Sequence, residues 1–252
     1  MSSGDGRLEA MRYRTPSIIE ALCEVHFRPG TPWDLTVFGR FDERMSRTLP
    51  RREQAEAVSL ALKARADGFE QKLEQQPRMR FLSSDGGRVA QVGPNLLIAN
   101  VLAPYPHWPP FRAFILDSLR AYVEAAQPLG IVRLTLRYID HIRPPAERFT
   151  LGDWLGESAQ FFPTAVRAIR QEAQSQTVWQ EEDRAEGVTL ALQRTEAGEP
   201  LIVVDTMVAW KEPGLAEAEI GAILDRLHAR IIEIFEECIS ERTRELLEPE
   251  RG

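Results

Sequence analysis

Apolar and polar side chains alternate with a period of two along residues 18–28. Ile19, Ala21, Cys23, Val25 and Phe27 fall on one side, and Glu20, Glu24 and His26 on the other. Such alternation predicts a strand with one buried face, and Pro29-Gly30 ends it. Thr31-Pro32-Trp33-Asp34 then reads as a helix start, with Thr31 as N-cap, Pro32 at the first helical position and Asp34 in the first turn. Leu35, Phe38, Phe41, Met45 and Leu49 follow at helical spacing, and Leu49-Pro50 closes the helix. Residues 53–66 are ambiguous. Their alanine content favours helix, but the meander that follows favours strand. Residues 79–83, 88–92 and 96–102 read as strands. Asp85-Gly86-Gly87 and Gly93-Pro94-Asn95 separate them, with Asn95 at a position that tolerates positive φ. A helix with the stripe Phe111, Phe114, Ile115, Leu119, Tyr122 and Val123 comes next.

The second half repeats this order. Residues 131–143 read as a strand, Pro144-Pro145 as its stop, and 151–155 as a short helical segment with Thr150 as cap and Asp153 in its first turn. Strands are expected at 166–178, 187–195 and 200–210. A long helix is expected over roughly 214–246, with Ile220, Ile223, Leu224, Leu227, Ile231, Ile234, Phe235, Cys238 and Ile239 on one face. His26-Phe27-Arg28-Pro29 matches His141-Ile142-Arg143-Pro144. At the same offset Ile19 aligns with Leu134, Ala21 with Leu136, Cys23 with Tyr138 and Phe27 with Ile142, while Val25 meets Asp140 as a mismatch. The chain is therefore expected to be α+β, with two pseudo-repeated β-α-β(3–4)-α halves at 16–129 and 130–252, together one compact unit. Residues 1–15 are expected to be mobile. Antiparallel sheets would bury one face under helices. The order is analogous to TATA-binding-protein-like and helix-grip architectures, a likeness of fold that carries no function.

Charge narrows the partners. A net charge of −7 makes nucleic acid an unlikely partner, because phosphate is repelled over most of the surface. Cys23 and Cys238 form neither a CxxC pair nor a disulfide framework and read as buried thiols of a reducing compartment. No apolar run approaches the roughly 20 residues of a membrane helix, so a cytoplasmic protein with no membrane partner is expected.

Several segments resemble an uncharacterised, sporadically distributed family of prokaryotic proteins of about this length. They are Pro16-Ser17-Ile18-Ile19-Glu20-Ala21 with Phe27, Asp85-Gly86, and 91–97. Asn100, Pro104-Tyr105-Pro106, Trp108, 136–140, His228 and Phe235 continue the likeness. The resemblance implies no assigned activity and no catalytic residues to carry over. It implies an accessory role, in a biosynthetic or defence gene cluster. The family pattern is Asn-Arg where this chain has Asp140-His141.

Candidate chemistry is sparse. His26, Asp140 and His141 are acid–base candidates, but no HxH or HxxxH spacing points to a metal. Glu20 and Glu24 are the one carboxylate pair at strand spacing. Arg137 presents a planar fork suited to a carboxylate or phosphate, or else to a cross-strand ion pair with a glutamate such as Glu20 or Glu24. Tyr138, Asn100, Tyr105 and Trp108 are candidate ligand contacts, the last two on a rigid proline-rich segment. No phosphate loop, GxSxG or HExxH motif is present, and neither metal nor cofactor is expected. The first reading is a non-catalytic binding or accessory protein whose groove takes a protein, a peptide or a small ligand, with homodimerisation through strand edges. The alternative is an enzyme with a cleft lined by His26, His141, Asp140 and Arg137.

Overall fold

A computed structural model describes residues 13–65, 68–145, 150–156, 172–214 and 216–250, with the backbone alone at 56–76 and 217. The fold is α+β, with antiparallel strands covered by helices. The chain forms two compact units. The amino-terminal unit holds Ala21–Thr135 and Trp210–Ile223. The carboxy-terminal unit holds the residues up to Glu20, Leu136–Ala209, and those from Leu224 onward.

The amino-terminal unit is built on β1 (Ile18–Arg28), α1 (Thr36–Met45), β2 (Arg51–Arg65), β3 (Gly68–Leu82), β4 (Arg88–Gly93), β5 (Leu96–Leu102), α2 (Trp108–Ala126) and the start of β6 (Gly130–Ile142). Its strand order is β2-β3-β4-β5-β1-β6. The ambiguous stretch is indeed strand β2, paired antiparallel along its length with β3. Both turns behave as their residues predict, with φ of 76° at Gly86 and 54° at Asn95.

Alternation sends Ala21, Cys23, Val25 and Phe27 inward, each at most 3% exposed. Phe27 stacks on Tyr122 of α2 at 4.4 Å, and Phe41 of α1 packs on Phe81 of β3 at 4.9 Å. The buried Tyr122 hydroxyl is satisfied by donating to the Gly93 carbonyl at 3.0 Å.

The start of α1 departs from expectation. Thr31 does not cap it, and Thr31, Pro32 and Asp34 all lie before its first residue. Asp34 instead accepts the backbone N–H of Thr36 at 2.7 Å, and Trp33 packs edge-on against Phe38. The aspartate's local bond and the Trp33–Phe38 contact hold residues 33–35 outside the helix.

The carboxy-terminal unit contains the end of β6, a 3₁₀ turn at Leu151–Asp153, β7 (Ala173–Gln180), β8 (Arg184–Arg194), β9 (Pro200–Lys211), most of α3 (Glu217–Cys238) and α4 (Glu241–Leu247). Its strand order is β6-β9-β8-β7, with β7 and β8 antiparallel. The strand expected at 166–178 is described only from Ala173; its first residues lie outside the described residues. Leu224, Leu227, Ile231, Ile234, Phe235 and Cys238 form the buried stripe of α3.

The expected single helix over 214–246 is broken after Cys238. Residues 154–156 cross its end: Gly156 N–H donates to the Cys238 carbonyl, Ser240 N–H donates to the Trp154 carbonyl, and Leu155 bridges Ile239. Ser240 then caps α4 by accepting the Thr243 N–H. At the chain ends, the N–H groups of Arg14 and Thr15 donate to the carbonyls of Glu248 and Leu247, and the Tyr13 hydroxyl donates to Glu236 at 2.7 Å. Residues 1–12 lie outside the described residues. Among the described residues, no helix is long and apolar enough to cross a membrane.

Two glycines report on this packing in opposite directions. A Cβ at Gly156 would lie 2.4 Å from the Glu237 carbonyl and 2.9 Å from that of Ile239. Gly156→Ala is therefore expected to cost more than about 2 kcal/mol, because backbone cannot move aside cheaply. Gly39, exposed within α1, has nothing within 4 Å of such a Cβ. Gly39→Ala is expected to stabilise by about 0.5–1 kcal/mol through helix propensity. Urea unfolding midpoints of the two variants check both signs.

Candidate functional site

In the amino-terminal unit, His26 sits on the polar side of β1 beside Glu24, and Arg133 of β6 joins them. The imidazole Nε2 is hydrogen bonded to Glu24 Oε1, while Arg133 donates to the same carboxylate oxygen at 3.1 Å and lies 3.0 Å from the ring nitrogen. One ring nitrogen cannot donate to Glu24 and accept from Arg133 at once. The hydrogen bond from His26, helped by the Arg133 charge, holds the Glu24 carboxyl below its usual range. The group is a small surface ion network around one carboxylate. Asn100 is 4% exposed and accepts from Gln91 Nε2 at 3.4 Å across β4 and β5. Tyr105 and Trp108 both meet Phe111 edge-on, at 6.2 and 6.0 Å, where the chain enters α2.

In the carboxy-terminal unit, the alternation of β6 separates its candidates. Tyr138, Asp140 and Ile142 are buried on one side, while Arg137 and His141 occupy the other with partial exposure. Tyr138 Oη and His228 Nδ1 of α3 are 2.9 Å apart. Burial pushes the His228 imidazole down to about 4 against the opposing pull of Asp225, so the ring is neutral at pH 7.

Asp140 is the residue that falls opposite Val25 in the aligned sequence motifs. It is 3% exposed and accepts a 2.7 Å bond from the Ser17 hydroxyl. Burial raises its carboxyl to about 7; the Ser17 bond opposes the shift and the Asp205 charge adds to it.

Arg137 grips Asp205 of β9 with two prongs, Nε to Oδ1 at 2.7 Å and a terminal nitrogen to Oδ2 at 2.5 Å. A cross-strand ion pair therefore exists, with Asp205 of β9 as an acid partner that the sequence reading did not name. The backbone N–H of His141 donates to the Ser17 carbonyl, and burial together with the Arg143 charge lowers its ring pKa.

A cleft of about 360 Å³ lies in this unit between the β7–β8 end and α3. Its floor is Glu186, whose side chain is 11% exposed. Arg230 of α3 reaches both Glu186 oxygens through Nε at 3.1 Å and one through a terminal nitrogen at 2.9 Å, and Arg184 adds a 3.1 Å ion pair. Val188, Ile234 and Cys238 supply apolar wall, and Trp179, 43% exposed, stands at the rim with Glu181 and Glu237. Burying one carboxylate under two guanidinium groups fixes all three side chains, because each would be costly to leave unpaired. None of these residues was a candidate from sequence. Glu186 and Arg230 are 44 residues apart, and the local signal is Trp179 in a largely polar strand.

Among the described residues, no cluster of three or more His, Cys, Asp or Glu could hold a metal ion. No protein-family model and no curated protein matches the chain. Among solved structures, the S. pombe Pct1 RNA triphosphatase in complex with the Spt5 CTD aligns over 94% of this chain and 88% of its own, at 7% identity and a TM-score of 0.15. The S. pombe Pct1 RNA triphosphatase alone aligns over 93% and 87%, at 9% identity and the same TM-score. Likeness at that level carries no argument about fold or activity.

The buried carboxyl of Asp140 makes stability depend on pH. Unfolded, it ionises near its ordinary 3.8; folded, near 7. Below the lower value both states hold the proton. Between the two values only the unfolded state releases it, so stability falls as pH rises from about 4 to about 7 and then levels. Asp140→Asn keeps an acceptor for Ser17 and removes the penalty. The variant is expected to be more stable than the parent by about 2–4 kcal/mol at pH 8 and nearly equal to it at pH 4. Urea titrations at the two pH values measure the difference.

Proposed function

We propose that this protein is a non-catalytic binding module with an accessory role, and that the cleft between β8 and α3 is where it seats a peptide segment or small ligand. The cleft's construction carries the reading. Its volume of about 360 Å³ falls within the ~300–1,000 Å³ usual for ligand sites. Its polar floor is locked by the Arg184–Glu186–Arg230 cluster, so little ordering remains to be done on binding. Trp179 offers a broad, rigid contact surface at its mouth.

The enzyme alternative asked for His26, His141, Asp140 and Arg137 to line one cleft. On β6, Asp140 points to the buried side and Arg137 and His141 to the other, and Arg137 is already committed to Asp205. Both observations weigh toward binding.

We also read the scaffold as duplicated. Positions 21, 23, 25 and 27 of β1 and 136, 138, 140 and 142 of β6 are all buried, the equivalent positions of the aligned motifs. A TATA-binding-protein-like or helix-grip arrangement stays an analogy of element order.

The test is affinity purification of the tagged protein from its native host. A stoichiometric partner is expected. Glu237→Lys, which reverses a charge at the cleft wall, should weaken its retention at least about tenfold with an unchanged unfolding curve, as for a contact desolvated at an interface. His26→Ala and His141→Ala should leave retention intact. If no partner appears and His141→Ala abolishes a cellular phenotype in a folded protein, the binding reading fails.

A further inference from the structure

The cleft between β8 and α3 does not stand alone. Glu237 lines it and also lines a second depression, of about 770 Å³, bounded by Leu155, Ile239, Ser240 and Arg244. The two therefore adjoin at the carboxy-terminal end of α3. From Arg230 to Cys238 the helix rises about 12 Å, the length of about four residues of extended chain. Acids outnumber bases along this surface. Arg184 donates to Glu181 at 2.9 Å and pairs with Glu186. Arg230 pairs with Glu186 and donates to Glu233 at 3.0 Å, and Arg244 pairs with Glu236 and Glu241. With Glu237 these make six carboxylates against three guanidinium groups. Residues 157–171, outside the described residues, hold Glu157, Arg167 and Arg170, a net charge of +1 that does not cancel the excess. The last turn of α3 carries Glu236 and Glu237 and no basic residue, although the partial negative charge of a helix end favours cations there. Trp179, 43% exposed at the cleft rim, is the side-chain type whose ring attracts a cation most strongly.

We propose that the occupant of this cleft is a basic peptide segment in extended conformation. Its lysine or arginine side chains meet the carboxylates and Trp179, and its apolar atoms lie on Val188 and Ile234. The inference rests on the binding reading above and specifies the chemistry of its ligand. Charge complementarity selects this occupant. An anionic ligand would have to displace a glutamate from a guanidinium group that already holds it, whereas a cation joins the cluster without breaking a pair.

The test is fluorescence anisotropy of a dye-labelled Lys-Leu-Lys-Leu-Lys-Leu peptide titrated with the full chain, beside a Glu-Leu repeat of equal length. The lysine peptide should bind and the glutamate peptide should not. Binding should weaken as NaCl rises from about 50 to about 300 mM, because exposed charges are screened. Glu237→Lys and Trp179→Ala should each weaken it at least about tenfold with the parent's unfolding curve. Where Glu237→Lys alters that curve, Trp179→Ala decides. Glu43→Lys, the same reversal on the exposed side of α1, should leave binding unchanged, which separates the cleft from the general pull of an acidic chain. Acetyl-lysinamide should bind at least about tenfold more weakly than the peptide. A lysine peptide that fails to bind overturns the proposal. So do equal binding of the glutamate peptide, equal losses in Glu43→Lys and Glu237→Lys, and acetyl-lysinamide binding as tightly as the peptide. Retention of the native partner then tells the two proposals apart. If Glu237→Lys still weakens that retention tenfold, the cleft binds a partner of other chemistry; if it does not, the binding reading fails as well.

Discussion

Each central strand has one face that must stay dry, and the two-residue pleat decides which side chains go there. In β1 the dry positions are filled by Ala21, Cys23, Val25 and Phe27, and in β6 by Leu136, Tyr138, Asp140 and Ile142. Charged side chains on these strands are otherwise on the other side, where several pair along the surface, as Glu24, His26 and Arg133 do in one unit and Arg137 with Asp205 does in the other. The exception is Asp140. It is held at an apolar position, where burial raises its carboxyl to about 7 and the Ser17 hydroxyl donates to it.

Much of this was legible in the sequence. β1 is bounded where alternation starts and Pro29-Gly30 stops it, and the meander turns fall where glycine and asparagine permit positive φ. Helix ends were read less well. The apolar stripe of α3 runs on through Ile239, so periodicity alone joins it to α4; the break depends on the crossing chain at Trp154–Gly156, which no local pattern announces. Ser240 followed by Glu241 was the available signal. The capping reading of Thr31 failed for a related reason, because Asp34, three residues later, formed the local bond.

The candidate chemistry was less legible than the scaffold. Arg137 could be read as a ligand clamp or as half of an ion pair because strand order cannot be read from residues, and strand order is what supplies Asp205. The cleft was invisible for the same reason: Glu186 reads as one acid among many until Arg230 arrives from a helix 44 residues on. Buried ion clusters are properties of tertiary neighbours, whereas apolar faces are properties of local spacing. A single chain therefore yields its core before it yields its site.

The two thiols show what complete burial confers beyond packing. Cys23 is 0% exposed and Cys238 is 3% exposed, and burial pushes both above the usual thiol range, Cys238 to about 12. Thiolate is the species that attacks disulfides, oxidants and metals, and neither residue forms it at neutral pH. Swings in cellular thiol–disulfide poise thus find nothing to act on at either cysteine. Both behave as small hydrophobes whose sulfur chemistry has been silenced by the same dry faces that hold the strands in place.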